Sequence, residues 1–282
     1  MKRRQFFGVG AAALISAGLK KLPASLLQQF SVQKSGFWTD GYFQQKSVDL
    51  TNLHQGTIRA KVNGTWEQYH VRALNAEFFE WNIEDRLANI EKMRKGSMPD
   101  WSGAHNAAVA TAGKNRGDSR FSLNNAIKGT GLCPKQEKIE DIIGLLKKTG
   151  SKDMEVKFNT LTGMYQDSQL WDLTKLISLE LYSKPDFETH TFLNQMANPV
   201  SSIVYLDVPS FEIRAIARLL HPDDPGLGTD ERNYLTYINT IHSYFHSHFT
   251  SVVPAVVYHV IEVFDNSPSG RKGQGKKGLR VV

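Results

Sequence analysis

His242 and His246 stand four residues apart in a stretch whose apolar residues, Tyr234, Ile238, Ile241 and Phe245, recur at helical spacing. Two imidazoles at that spacing leave one side of a helix a turn apart and can reach a single metal ion. No acidic residue lies between them and no glutamate follows at the spacing of a zinc hydrolase, so metal-assisted hydrolysis has little support. Tyr244, Phe245 and Phe249 interleave with His242, His246 and His248, a setting that suits an axial haem ligand and equally suits plain helix packing. Arg214 and Arg218 are also four apart, on a stretch read as a strand, so they share one face. They could meet a carboxylate or phosphate, although an exposed sheet face carries the same pattern. Cys133, between Leu132 and Pro134, has no neighbouring base or cation to stabilise a thiolate, and as the single cysteine it forms no intramolecular disulfide. Gly113 to Arg120 is rich in Gly and cations but lacks the spacing and the preceding strand of a phosphate-binding loop, and reads as a solvated loop.

The elements that position these residues follow from periodicity. Residues 45–75 read as strands, with Asn63-Gly64 as a two-residue hairpin turn between Ile58, Ala60, Val62 and Thr65, Tyr69, Val71. Phe79, Ile83, Leu87 and Ile90 predict a helix over 76–95. From 95 to 131 the periodicity dissolves, predicting a long loop or linker. Ile139, Ile142, Ile143 and Leu146 mark a helix that ends at Lys147-Lys148-Thr149-Gly150, with Gly150 as a left-handed cap. Glu155 to Leu161, Tyr165 to Leu173 and Leu176 to Tyr182 read as three short strands. A short helix runs from Thr189 to Asn198-Pro199. Strands follow at Ser202 to Asp207 and Phe211 to Leu220, then the histidine-bearing helix, then a strand from Ala255 to Phe264.

Charge separates the ends from the body. The 282 residues carry a formal net charge of +6. Lys2, Arg3, Arg4, Lys20 and Lys21 put +5 near the start, and Arg271, Lys272, Lys276, Lys277 and Arg280 put +5 near the finish, which leaves −4 between them. A nucleic-acid-binding surface is excluded as the default, because such a surface needs its cations on the folded part. Arg3-Arg4 followed by an apolar run from Phe6 to Leu19 resembles a twin-arginine export signal, too short for a comfortable membrane span. Residues 1–30 are therefore expected to direct export to the periplasm or beyond, whether cleaved or kept as an anchor. The basic tail, 267–282, is expected to be flexible and could touch an anionic membrane surface.

The order of elements after residue 135, with Ile139 to Gly150 leading in and the run Thr189-His190-Thr191-Phe192-Leu193-Asn194-Gln195-Met196-Ala197-Asn198-Pro199 following Ser183-Lys184, resembles the pyridoxamine 5'-phosphate oxidase-like FMN-binding split-barrel family. The resemblance implies an α+β fold, with a six-stranded antiparallel split β-barrel and flanking helices over 135–266. A smaller β-hairpin and helix region over 35–130 precedes it, with no role assigned. It also implies a homodimer that binds FMN and passes hydride or electrons between a donor and a small-molecule substrate. Carried over position by position, Lys184, Thr189 and Thr191 would contact the phosphate. Gln166, Ser168 and Trp171 would face the flavin ring from the second strand, and Arg214 and Arg218 would complete the site. The family's usual arginine on that strand is missing between Gln166 and Trp171. That departure leaves a second reading, a non-catalytic split-barrel protein of the cell envelope holding haem or another ligand.

Overall fold

The computed structural model describes residues 35–114, 116–245, 251–268 and 279–282. The twin-arginine segment, His246, His248 and residues 269–278 lie outside them. Seven antiparallel strands form one curled sheet, a half-barrel. In chain order they are β6 (Asn106–Thr111), β7 (Asn124–Gly129), β8 (Gly131–Pro134), β9 (Trp171–Leu179), β10 (Val200–Val204), β11 (Phe211–Leu220) and β12 (Ala255–Asp265). Across the sheet the order is β7-β6-β10-β11-β12-β9-β8, with the two-residue β13 (Leu279–Arg280) added to β12. Val109, Ile203, Ile213 and Val263 pair in succession across four strands and each is fully buried, which fixes the inner face.

The two strands at the ends of this order, β7 and β8, are separated in the chain by Thr130 alone. The backbone therefore steps from one end of the sheet to the other through one residue, and the polar groups at that joint need partners. Helix α1 (Ala76–Arg94) supplies them. Buried Arg86 donates through Nη2 to the carbonyls of Ala104 at 2.7 Å and Thr130 at 2.9 Å, and through Nε to Asn82 Oδ1 at 2.7 Å. The Tyr205 hydroxyl donates to Thr130 Oγ1 at 3.1 Å. Asn75 caps α1 by accepting from Phe78 N, and Phe78 packs edgewise on Phe211 and Trp81 edgewise on Tyr205.

Helix α5 (Thr229–Ser243) packs on the β9 and β12 wall, α2 (Gln136–Thr149) packs on α5 and β8, and α3 (Met154–Gln166) packs on α1 and α2. α4 (His190–Ala197) is buried nearly all round, from Thr191 to Met196, and plugs the curl. A second, three-stranded sheet of β3 (Val48–Asp49), β4 (Thr57–Val62) and β5 (Thr65–His70) buries Val48, Ile58 and Ala60 against Ile216 on the outer face. Asn63 and Gly64 take φ of 48° and 87°, the left-handed pair that the hairpin requires. Residues 35–47 form a strap across the plugged end, with a small hairpin of β1 (Trp38–Thr39) and β2 (Tyr42–Phe43). The Gln45 side chain joins strap to sheet, donating to the carbonyls of Gln195 and Ala217 and accepting from Leu219 N. No helix among the described residues is long and apolar enough to cross a membrane.

Four expectations are corrected. The supposed loop from 95 to 131 contains β6 and β7 and leads directly into β8. Residues 155–161 are helix α3, started by Asp153, which accepts from Val156 N, and held by Phe158, Leu161 and Met164 at a spacing of three. Gly150 is right-handed, φ −61°, so α2 ends without a left-handed cap. The close of the tail, read as free of the body, is bonded to the sheet: Val281 N donates to Val263 O, and Arg280 pairs with Glu262.

Replacing Arg86 by Leu leaves the Thr130 and Ala104 carbonyls without their charged donor, for an expected loss of about 3 kcal/mol. Urea unfolding should show a lower midpoint at an unchanged slope.

Candidate functional site

The residues carried over for a flavin do not come together. Gln166 closes α3 and is exposed, and Ser168 lies in a short 3-10 turn, so neither is on a strand. Trp171 begins β9, is buried and stacks on Tyr165 at 5.5 Å. Lys184, Thr189 and Thr191 lie beyond the other end of β9, whose nine residues span roughly 26 Å. Lys184 is exposed and pairs with Asp186 at 3.4 Å. Thr189 is the N-cap of α4, accepting from Phe192 N and donating to Glu180, and buried Thr191 accepts from Asn124 Nδ2 at 2.9 Å.

Arg214 and Arg218 do share the outer face of β11, but both are engaged. Arg214 pairs with Glu212 and Glu262, and Arg218 donates to Glu231 at 2.6 Å and to the Gln45 carbonyl at 2.9 Å. His242 lies on α5 as expected, while its partner at i+4 is outside the described residues. No cluster of three or more His, Cys, Asp or Glu among the described residues could hold a metal. Cys133 is fully buried, and burial pushes its thiol pKa up, away from thiolate.

What the structure does assemble is a polar rim around the N-terminus of α4. The Gly113 to Arg120 loop folds onto it. Lys114 N donates to Asn194 Oδ1 at 2.8 Å, Arg116 Nη1 reaches the Glu188 carbonyl at 3.0 Å, and Arg116 grips Asp118 through two nitrogens. His190 Nε2 lies 3.2 Å from the same Asp118 carboxylate. The Arg116 hydrogen bonds hold Asp118 down to about 2, so it stays charged and fills the Arg116 guanidinium fork. Below it, Lys128 pairs with fully buried Glu180 at 2.8 Å, and Ser183 and Thr189 donate to the same carboxylate. Arg116 and Lys128 are thus already neutralised by Asp118 and Glu180.

At the other end of α4 the strap and the β4–β5 hairpin border an open cleft of about 610 Å³, and both of its lysines, Lys46 and Lys61, are exposed. Phe37, Thr39, Tyr42, Lys46 and Ser47 come from the strap, Lys61 and Gly64 from the β4–β5 hairpin, and Met196 and Ala197 from α4. Among the described residues no acidic side chain lines it, and neither Lys46 nor Lys61 has an ion pair. The strap wall is held by aromatic packing: Phe43 meets Phe192 and His221 at ring distances of 5.0 Å each, and Trp38 meets Phe43 at 5.2 Å. His221 Nδ1 accepts from Asp223 N, and burial keeps this imidazole below its ordinary pKa, so it packs as a neutral ring. Sequence reasoning did not single out Lys46 or Lys61. Nothing in their spacing links two lysines whose elements meet only through the sheet.

A further titratable group sits in the wall itself. His259 on β12 pairs with Lys175 of β9 across the sheet, is fully buried, and has no partner for either ring nitrogen among the described residues. Burial first, and then the positive charges of Lys175 and Arg218, depress its pKa from 6.5 to about 3, against the opposing pull of Asp172. The native imidazole therefore stays neutral while the unfolded one takes a proton below pH 6.5. Stability should fall by about 2 kcal/mol between pH 6.5 and pH 5 from this group alone. Equilibrium unfolding of His259→Leu across that window should show a correspondingly shallower loss. The chain matches no protein-family model, no curated protein and no solved structure, and its function rests on the geometry of the site.

Proposed function

We propose that the protein is an exported binding protein of the split-barrel type whose cavity beneath the strap takes a small anionic molecule with a flat apolar part. The observation that carries this is the pairing of Lys46 and Lys61 with Phe37 and Tyr42 around about 610 Å³, in the size range of small-molecule sites, with no carboxylate in the lining. Two cations supply charge for a carboxylate or phosphate, and the rings supply apolar area for the rest. The split-barrel part of the reading is supported by strand count: taken as one strand bent at Thr130, β7 and β8 reduce the seven to six. Export is supported by Arg3-Arg4 and the apolar run that follows.

The second reading of the sequence, ligand binding without catalysis, is thereby favoured over flavin-dependent oxidoreduction. The ring candidates Gln166, Ser168 and Trp171 lie at one end of β9, the phosphate candidates Lys184, Thr189 and Thr191 lie beyond the other, and Arg214 and Arg218 are ion-paired on the outer face of β11, so these residues do not fit the cofactor as one site and no hydride step follows from them.

Titration of the exported protein with inorganic phosphate, FMN and pyridoxal phosphate, followed by fluorescence of Trp38 next to the strap wall, tests the reading. Saturable binding of at least one ring-bearing anion is expected, weakened about tenfold, or about 1.4 kcal/mol, by Lys46→Ala and by Lys61→Ala. The absence of saturation with every probe, or unchanged affinity in both variants, overturns it. The absorption spectrum of the protein as purified separately reports flavin bands or a Soret band.

A further inference from the structure

Asn63 and Gly64 form the two-residue turn of the β4–β5 hairpin, with φ of 48° and 87°, and both are exposed. Lys61 and Gly64 line the cleft from this hairpin, and Ala197 lines it from the end of α4. The next residue, Asn198, is 8% exposed and donates from Nδ2 to the Ala112 carbonyl at 3.0 Å and to Asn63 Oδ1 at 3.3 Å. A carbonyl only accepts, so the Ala112 contact fixes which way the Asn198 amide faces, and the atom it meets on Asn63 is the amide oxygen. That donation draws electrons from Asn63 Cγ and makes it the better electrophile. The Gly64 nitrogen is the backbone atom that closes a five-membered ring on this carbon. The strand ladder ends at the Val62–Thr65 pair, so the Gly64 N–H stands outside it. Space around Gly64 is open, for a Cβ built there meets nothing within 4 Å.

We propose that Asn63 is a self-modifying residue, its amide converted to a carboxylate through attack by the Gly64 nitrogen, and that the conversion lowers the affinity of the cleft for anions. The Gly64 nitrogen gives its proton to solvent and bonds to Cγ, and the charge that gathers on Oδ1 is met by Asn198 Nδ2. The bond from Cγ to Nδ2 of Asn63 breaks, and ammonia leaves with a proton from water, closing a cyclic imide. Water then opens one of the two C–N bonds of the imide. Opening at Cγ gives aspartate, and opening at the main-chain carbonyl gives an isoaspartyl link. The sum is one water taken up and one ammonia released, with no change of oxidation state. Either product sets a carboxylate among Lys61, Gly64 and Asn198, where a neutral amide stood. In aspartate the new oxygen still accepts from Asn198, now with charge assistance, so the carboxylate is held at the border of the cleft. It repels an incoming anion and competes for Lys61. The isoaspartyl link also adds a backbone carbon to a two-residue turn, which breaks the fit of the hairpin. The effect on binding rests on the anion-binding reading of the cleft, whereas the chemistry at Asn63 does not.

Two measurements decide it. The full-length protein is held in mildly alkaline buffer, and residue 63 is followed by peptide mapping and mass spectrometry. Aspartate and isoaspartate are expected at 63 ahead of every other asparagine, forming about tenfold more slowly in Asn198→Ala, which removes the donor to Oδ1. No conversion at 63, or conversion in Asn198→Ala as fast as in the parent, overturns the proposal. Binding of inorganic phosphate, FMN and pyridoxal phosphate is then compared among fresh protein, aged protein, Asn63→Asp and Asn63→Gly. A Gly-Gly pair suits the same turn, so Asn63→Gly should match fresh protein and keep its affinity on ageing. Asn63→Asp and the aged protein should bind about tenfold more weakly. Equal affinity of Asn63→Asp and fresh protein overturns the effect on binding and leaves the anion-binding reading standing. Fresh protein that binds none of the three overturns both, and the mass measurement still decides the modification.

Discussion

The sheet can curl because Arg86 answers the carbonyls of Ala104 and Thr130 where the chain leaves β7 and enters β8. A strand that changes partners within one residue leaves backbone acceptors pointing where no neighbouring strand can serve them, and burying them unpaired would cost more than the bend could return. A guanidinium suits the place, since its nitrogens fan out in one plane and serve several acceptors at once. Its position also settles that of α1, and with α1 the ring cluster of Phe78, Trp81, Tyr205 and Phe211 that fills one end of the curl. Tyr205 belongs to both systems through its hydroxyl on Thr130. Closure, helix placement and core packing are one event rather than three.

The opposite end is organised by a helix too short to stand alone. Eight residues are far below the length at which an isolated helix is stable in water, so α4 exists because its neighbours enclose it. The strap encloses it from outside and the sheet from within, and the Gln45 amide imitates a strand between them. This leaves the cavity with walls of unequal character. The α4 and hairpin sides are tied into the sheet, while the strap side is held by aromatic contacts and a few hydrogen bonds at its ends. A ligand in contact with Tyr42 and Lys46 touches the strap wall.

The parts legible in the sequence were those whose own residues carry the pattern. Asn63-Gly64 adopts the hairpin geometry because few other pairs accept both φ values, and Phe211 to Leu220 and Ala255 to Asp265 are dense in β-branched and long apolar residues. The strands β6 and β7, Asn-Ala-Ala-Val-Ala-Thr and Asn-Asn-Ala-Ile-Lys-Gly, have almost no such residues. They are strands because β10 and the joint at Thr130 offer them partners, which local composition does not register. Residues 155–161 misled in the other direction, since Val156 and Phe158 alternate like a strand while Asp153 starts a helix. The candidate site was the least legible part. Its lysines come from the strap and a hairpin, and the cations near α4 come from a loop some seventy residues upstream, so their meeting is a property of topology and not of spacing.

One irregularity in β12 governs where the second layer can sit. Between Arg214 and Ala215 the pairing with β12 slips, so that Glu262 faces Arg214 but Val260 faces Ala215, and Ile261 is the residue in excess. On the C-terminal side of that slip the outer face is ionic, Arg214 with Glu262; on the other side Ile216 and Ile261 lie beneath the small sheet. The bulge acts as a phase shifter between two halves of one strand. Removal of Ile261 would restore a regular ladder: Glu262 would still face Arg214 and Val260 would still face Ala215, so no side chain would change face, and the strand would lose its local bend together with the contact that Ile261 makes beneath the small sheet.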